Sequence, residues 1–527
     1  MSRAGIRLLD EEDYLAPAER EKRASAKRDQ LKRRRLTPDW FAANGDLCLP
    51  PDLRVAVIGA GFAGLSAAWY LRSCGVKTTV FEASELIGGR VRTNRSYVPG
   101  KIIEDGAELI GENHALWGIL ALDFKLSLIE LTDDETYKKA GLEVRTRFGS
   151  TDLTPAQKKS IKATLRPILA RIGAEAFLVS ETKPWQVPIV SSYLDRMSVA
   201  KRFDDLFGGT SSLARAFLEF TLENDNCGPV AKQSYLGLLA AISAARMGSD
   251  ARGMLGYWMS TETHRCGGGN DLLAARLSKG LPDLRLRTTV ESVQIERAYL
   301  PPVRIISSTR DASGKVTQKR SDDYDFAVLA VPPTVWSKVK IVPYLDPASR
   351  TIQHGSAVKF LSRYDTEFWK SAKLAPSAKW NEMGSLWEGT DNQATTPEFA
   401  LSVFSGGPFV QAKSAYPAKV ATLYPTGTPK DNRFVDWPTM PFIETGYAVP
   451  GLNQVTTISP LQLLPHKDRL YFAGEQTSTG FFGYMEGALQ SGARAARDIV
   501  ERMAYTCGQE PMTASRGGGG ASESEDA

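Results

Sequence analysis

RVAVIGAGFAGLSAAWYLRSCGVKTTVFEA, residues 54–83, decides the fold. RVAVIGA (54–60) is an apolar strand that stops at a glycine, AGLSAAWYLRSCG (63–75) is an amphipathic helix, and KTTVFEA (77–83) is a second strand. Together they make a βαβ unit. The first turn holds Gly59, Ala60, Gly61, Phe62, Ala63 and Gly64, a GxGxxG. Alone that pattern is weak, but here a strand precedes it and a helix follows. Glu82 closes the second strand 82 − 64 = 18 residues beyond the last glycine. Gly59 permits the tight turn, Gly61 lets the backbone approach a pyrophosphate, and Gly64 lets helix and strand touch. The helix N-terminus faces the phosphates and Glu82 is placed for ribose hydroxyls. The expectation is a dinucleotide site.

The rest of the chain bounds this reading. Its 527 residues, 42% hydrophobic and 24% charged, hold two or three domains' worth of core. A net charge of +5 is too small to argue for nucleic acid across the whole chain. Five cysteines form no CxxC and read as free thiols of a reducing compartment, and four isolated histidines argue against a metal site. No stretch approaches a membrane span, and no apolar run follows KRRRL (32–36) as a secretory signal requires, so the cytoplasm is the expected location. Residues 1–50 form a charged N-terminal arm, expected to be exposed, and 506–527 a low-complexity, disordered tail.

Beyond the βαβ unit, residues 116–264 turn helical, LRLRTTVESVQIE (284–296) is strand-like, and YDFAVLAVPP (324–333) is a buried strand ended by prolines. Residues 346–429 are mixed. RLYFAGE (469–475) is another buried strand and runs into a helix rich in small residues.

ASELIGGRVRTN (83–94) lies where a nicotinamide enzyme has no need of it. With Glu82 and the Gly88-Gly89-Arg90 that follows, the chain resembles the flavin amine oxidase family: monoamine, polyamine and L-amino acid oxidases. The resemblance runs over about residues 50–505, with its specific motifs at both ends. It implies an α/β fold of two domains: a Rossmann-like FAD-binding domain in three pieces (51–115, 265–345 and 430–505) and a substrate-binding domain with a helical insertion (116–264 and 346–429).

The resemblance also assigns a site. Gly59, Gly61, Phe62, Ala63, Gly64, Glu82, Ala83, Gly88, Gly89, Arg90 and Thr93 would hold the cofactor's nucleotide and pyrophosphate, and a guanidinium such as Arg90 suits phosphate. IIEDGAELIGENHALW (102–117) resembles the segment beneath the flavin ring, where Asp105, Gly106, Ala107 and Glu108 begin; His114 reads as structural. Val290 would touch adenine. Gly474 and Glu475 would meet pyrophosphate and ribityl, and Gly483, Tyr484 and Met485 would open a helix toward the ring. The stripes Gly487, Ser491, Ala495 and Ala488, Gly492, Ala496 permit close packing of that helix.

DWPTMPFIETGYAVPG (436–451) resembles the segment bearing a tryptophan near the flavin and one wall of a substrate cage: Trp437 and Tyr447, with Tyr484 opposite. Electron-rich rings suit an amine. HGSAVKFL (354–361) resembles the segment whose lysine holds a water at flavin N5, making Lys359 the candidate. Gly446 stands where mammalian monoamine oxidases attach FAD through cysteine, so noncovalent FAD is expected.

The implied reaction is oxidation of a C–N bond to an imine, with O2 returning as H2O2 and no metal required. The substrate is an amine or an α-amino acid. Many L-amino acid oxidases carry an arginine just after the Gly-Ala of the ring segment, where Glu108 and Leu109 stand here, which favours an amine. An arginine from the helical middle, Arg196 or Arg252, would be needed for a carboxylate. A desaturase or protoporphyrinogen oxidase is disfavoured by the tyrosine pair and Lys359. A chromatin demethylase would need a helical tower or reader domain. A homodimer is compatible with the sequence.

Overall fold

The computed structural model describes residues 17–44, 49–246, 254–296, 301–394 and 396–506. Arg252, residues 1–16 of the arm and residues 507–527 of the tail lie outside the described residues.

Five strands form a parallel sheet: β1 (Arg54–Ile58), β2 (Lys77–Phe81), β3 (Asp283–Arg285), β4 (Phe326–Leu329) and β5 (Leu470–Phe472), in the order β5-β4-β1-β2-β3. Both faces are covered, so the strands read as continuous apolar runs. Val55, Val57 and Val328 face the helices α1 (Phe62–Ser73) and α2 (Met485–Thr506). Ala56, Ile58, Ala327 and Leu329 pack on the other side with Val293, Ile305 and Trp336. These come from a four-stranded sheet, Val316–Tyr324, Val303–Arg310, Thr288–Ile295 and Lys340–Val342 in spatial order, and the short helix after β4.

The small-residue stripes of α2 are packing devices. A Cβ on Gly492 would lie 2.1 Å from the Ala63 carbonyl oxygen, and Ser66 Oγ donates to the Leu489 carbonyl at 2.8 Å. α2 therefore touches α1 at backbone distance.

The second region is a seven-stranded sheet, in order Asp431–Asp436, Ala357–Tyr364, Phe399–Gly406, Gly384–Glu388, Leu374–Trp380, Glu143–Phe148 and Thr151–Asp152. Lys359 pairs with Phe404 and Phe404 with Ser385, so alternation sets Lys359, Phe404 and Trp387 on one face. The helices Pro155–Ala176, Leu213–Asp225, Tyr235–Ala245 and Met254–Ser260 share an apolar core beside it.

Four sequence expectations need correction. Within the arm, residues 17–44 do not form a free exposed arm but dock on the body: Leu31, Leu36, Trp40 and Phe41 join the core of α1 and α2, and Phe41 stacks on Tyr70 at 4.2 Å. Its charges are matched by the body, with Arg20 on Glu112 (2.9 Å), Arg35 on Glu501 (2.7 Å) and the buried Lys27 on Glu181 (3.1 Å). The run 284–296 is two strands in different sheets, broken where Arg287 takes φ +50°. Asp431–Asp436, placed by sequence with the cofactor domain, is the edge of the seven-stranded sheet, while the helix Ala115–Asp123, placed outside it, packs in the core of α1. The stretch 116–264 also contains strands, at Leu128–Glu130 and Glu143–Phe148 among others.

Candidate active site

A cavity of about 350 Å3 runs from the carboxyl ends of β1, β2, β4 and β5 to the seven-stranded sheet and the helical core. Ligands of open α/β sheets bind at those strand ends.

The first turn is shaped by its glycines. Gly59 has φ +102°, and a Cβ there would lie 2.8 Å from Val331 Cγ1. A Cβ on Gly64 would lie 1.8 Å from the Gly59 carbonyl oxygen, so Gly64 is a packing residue beneath the turn and not part of the cavity wall. Gly61 is different: a Cβ there would meet only the Gly89 Cα, at 3.9 Å, and its open side faces the cavity. Phe62 and Ala63 line the wall with it, as do Glu82, Ala83, Gly88, Gly89 and, at the far edge, Val290. The Glu82 carboxylate accepts from the amides of Ala60 and Ser84, each at 2.8 Å, fixing the ends of β1 and β2 together.

Arg90 ties the early motifs to the late ones. Its guanidinium donates to Glu475 Oε1 at 2.9 Å and to the Gly446 carbonyl at 2.8 Å. Glu475 in turn accepts from the amides of Ala448 (3.0 Å) and Gly483 (2.7 Å). One buried carboxylate thus holds the Gly-Gly-Arg turn, the tyrosine segment and the approach to α2. Gly474, at φ +130°, makes the turn that delivers Glu475, and its amide donates to Ser491 Oγ at 2.9 Å.

Gly106 lies flat because nothing larger fits: a Cβ would be 2.0 Å from the Arg90 carbonyl oxygen and 2.9 Å from the Trp437 ring. Trp437 is fixed by its Nε1–H on the Asp105 carbonyl at 3.1 Å. Gly106, Ala107, Glu108, Trp437 and Met485 all line the cavity. Asp105 pairs with Arg433 at 2.6 Å. Thr93 is off the wall and donates to Glu104.

Lys359 Nζ donates to Glu108 Oε2 at 2.7 Å and to the Glu104 carbonyl at 2.9 Å. An ammonium has three donors, and Lys359 lines the cavity. Glu108 also accepts from Trp387 Nε1 at 3.0 Å and lies 3.6 Å from Arg265. Burial pushes the Glu108 carboxyl up, but Lys359 and Arg265 outweigh it and hold the group below the usual range. Glu104, without such a cation in contact, is pushed up to about 7 by burial.

Tyr447 and Tyr484 both line the cavity. The Tyr447 hydroxyl donates to the Asp225 carbonyl, and the Tyr484 hydroxyl shares a hydrogen bond with Tyr257 at 3.0 Å. Burial raises both phenols well above their ordinary value, so they remain neutral. His114 packs edge-on to Tyr484 at 5.2 Å, accepts from the Gly111 amide, and is pushed down to about 3 by burial; it is a neutral structural group.

Sequence reasoning missed Asp225, Tyr257, Glu262, Trp387 and Arg265. The first four line the cavity, and Arg265 stands behind Glu108. None belongs to a local motif: Asp225 ends a helix, and Glu262 follows another at φ +66°. Arg196, weighed as a carboxylate ligand, is not among the lining residues; the arginines there, among the described residues, are Arg90 and Arg92.

The sequence profile of the flavin containing amine oxidoreductases matches residues 62–500. A flavin-containing amine oxidase of Oncorhynchus mykiss is 24% identical over 482 residues, spanning 85% of this chain and 86% of that protein. An L-amino-acid oxidase of Bothrops moojeni is 23% identical over 503 residues, spanning 87% and 91%. The structure of a cyclohexylamine oxidase from Brevibacterium oxydans superposes with a TM-score of 0.72 at 20% identity, over 86% of this chain and all of that one (100%).

Proposed function

Because the chain belongs to the flavin containing amine oxidoreductase family, we propose that it oxidises a primary or secondary amine to an imine, with noncovalent FAD as its cofactor and O2 as the final acceptor. The cavity fits FAD in kind. Gly61 offers a bare backbone beside a helix N-terminus, Gly106 keeps a flat floor, and Val290 and Tyr484 line the same cavity. Gly446 supports noncovalent attachment, since a Cβ there would lie 2.7 Å from Ala357 Cβ and leave no room for a thioether arm.

When bound, FAD would supply the two-electron chemistry, as acceptor for the hydride of the substrate α-carbon, with O2 reduced to H2O2. The imine then hydrolyses in water to an aldehyde and an amine or ammonia. The chain's own part is binding, orientation and electrostatics. Gly59, Gly61, Glu82, Gly88, Gly89 and Arg90 would hold the nucleotide half; Gly474, Glu475 and the start of α2 would hold the other. Tyr447 and Tyr484 present neutral rings to a neutral amine and exclude water from it. Lys359 keeps its remaining proton toward the cavity, where it can hold a water or stabilise reduced oxygen. Glu108 pins that ammonium in place.

The observation that carries the reading is the Arg90–Glu475 contact at 2.9 Å, which draws the Gly-Gly-Arg turn, the Tyr447 segment and the helix bearing Tyr484 around one cavity. Among the described residues, no arginine away from the Gly-Gly-Arg turn lines the cavity to meet the carboxylate of an α-amino acid. The test mixes the flavin-loaded protein anaerobically with a panel of amines and α-amino acids and follows flavin absorbance, then H2O2 on admitting air. Bleaching by amines with H2O2 release is expected; no bleaching by any of them would end the oxidase reading.

A further inference from the structure

We propose that one outer face, built from residues 177–178 and 187–193, docks the protein on an anionic lipid bilayer. The face is separate from the cavity, whose wall contains none of these residues, and does not depend on the amine-oxidase reading.

The helix Pro188–Arg196 is inside out. Its fully buried side chains are polar. Ser191 donates to the Pro184 carbonyl at 2.8 Å, and Asp195 accepts from Ser234 Oγ at 2.5 Å and from the amide and hydroxyl of Thr456 at 2.7 Å each. Its large apolar side chains point outward: Ile189 is 86% exposed, Tyr193 65% and Val190 48%. Positions 189, 190 and 193 share one face of a helix. Of the fourteen large apolar side chains that are exposed among the described residues, six fall in this stretch, these three with Phe177, Leu178 and Val187. Both parts of the stretch pack along the helix Tyr235–Ala245. Ser243 Oγ donates to the Val179 carbonyl at 2.7 Å, and the Tyr235 amide donates to the Met197 carbonyl at 2.9 Å. Single exposed apolar residues are ordinary, whereas a cluster above buried polar groups marks a surface that binds something.

Charge decides the occupant. The acids of this region are engaged inward: Glu175 accepts from Arg171 at 2.8 Å and from Tyr235 at 2.6 Å, Glu181 pairs with Lys27 at 3.1 Å, and Asp195 is held as described. The bases are not. Among the described residues, Lys183, Arg196 and Arg246 have no carboxylate partner, and the Arg246 guanidinium lies over the Phe177 ring at 4.1 Å. Protruding apolar side chains flanked by such bases suit the interfacial layer of a bilayer, with the apolar groups among acyl chains and the cations at lipid phosphates. A second copy fits less well. A two-fold contact would set these cations against their own copies, and six side chains fall well short of the roughly 20–30 residues per side of a stable protein interface. Residues 507–527 offer Met512 as their one large apolar side chain, too little to cover the face.

The test is co-sedimentation of the full-length protein with vesicles of phosphatidylcholine, alone or with about 30% phosphatidylserine. Binding to the anionic vesicles should be about tenfold tighter or more, and should weaken at high salt. Ile189→Gln combined with Tyr193→Gln should lose about tenfold of that binding or more. Lys183→Glu combined with Arg196→Glu should abolish the preference for phosphatidylserine. All four side chains are exposed, so circular dichroism and the melting temperature should match the wild type. No binding to either vesicle, or binding that neither pair of substitutions changes, overturns the proposal. So does a dimer in sedimentation velocity that the Ile189 and Tyr193 substitutions convert to monomer, which would give the face to a second copy.

Discussion

The two ends of the cavity are built from different materials. The cofactor end is made of backbone: glycines that admit no Cβ, carboxylates that hold amides, and an ion pair whose members are engaged several times over. The substrate end is made of side chains from separate elements, and it keeps a carboxylate oxygen without a partner. A ligand common to a whole family can be met by a fixed backbone. A ligand that varies is met by replaceable side chains.

The sharpest way to break this contrast is at the first turn. Gly64→Val puts its side chain into the Gly59 carbonyl, and no soluble, flavin-loaded protein should be recovered; a yellow, folded variant would show that the turn yields. Next is the clasp. Glu475→Ala removes the partner of Arg90 and of two amides, and should cost about 3–5 kcal/mol of stability with loss of flavin on gel filtration. A thermal melt and the ratio of flavin to protein absorbance read both.

Changes at the substrate end should be milder for the fold and more telling for the chemistry. Lys359→Met should slow reoxidation of reduced enzyme by O2 about 100-fold, the size of one preorganised charge, and stopped-flow mixing measures it. Reoxidation at the native rate would remove Lys359 from the mechanism. Tyr447→Phe keeps the ring and loses the hydroxyl's bonds to the Asp225 carbonyl and the Cys227 thiol, so a drop of about 1 kcal/mol in stability is expected.

The smallest effect is a pH dependence. Burial pushes Glu262 up to about 8 in the fold, while the unfolded chain ionises near 4.5. Between those values the unfolded state binds fewer protons, so stability falls as pH rises and then levels above about 8. Glu262→Gln lacks this loss. Its melting-temperature advantage over the wild type, without substrate, should grow from pH 5 to pH 8 and then hold.

The same contrast explains what the sequence made legible. Gly59, Gly61, Gly64 and Glu82 could be read because a tight turn and a close helix demand particular residues at fixed local offsets. The tyrosines and Lys359 were reached through family resemblance. Asp225, Tyr257 and Glu262 meet only through tertiary packing of helices and loops, and no local spacing announces them. The order of the seven-stranded sheet was unreadable for the same reason, since Glu143–Phe148 pairs with Leu374–Trp380 far downstream. In the arm, dense charge masked Leu31, Leu36, Trp40 and Phe41, whose apolar side chains anchor it.

The clasp between Arg90 and Glu475 has a consequence in time as well as in space. Its two members stand 385 residues apart, and a ribosome adding 5–20 residues per second takes roughly 20–80 s to make the second after the first. Through more than half of that interval the first βαβ unit exists with β4 and β5 both unmade, β5 follows only at its very end, and until then the Gly59–Gly64 turn has no opposite wall. On the proposed assignment of the flavin to this cavity, its capture is a closing event of synthesis, and a nascent chain stalled before β5 should emerge colourless.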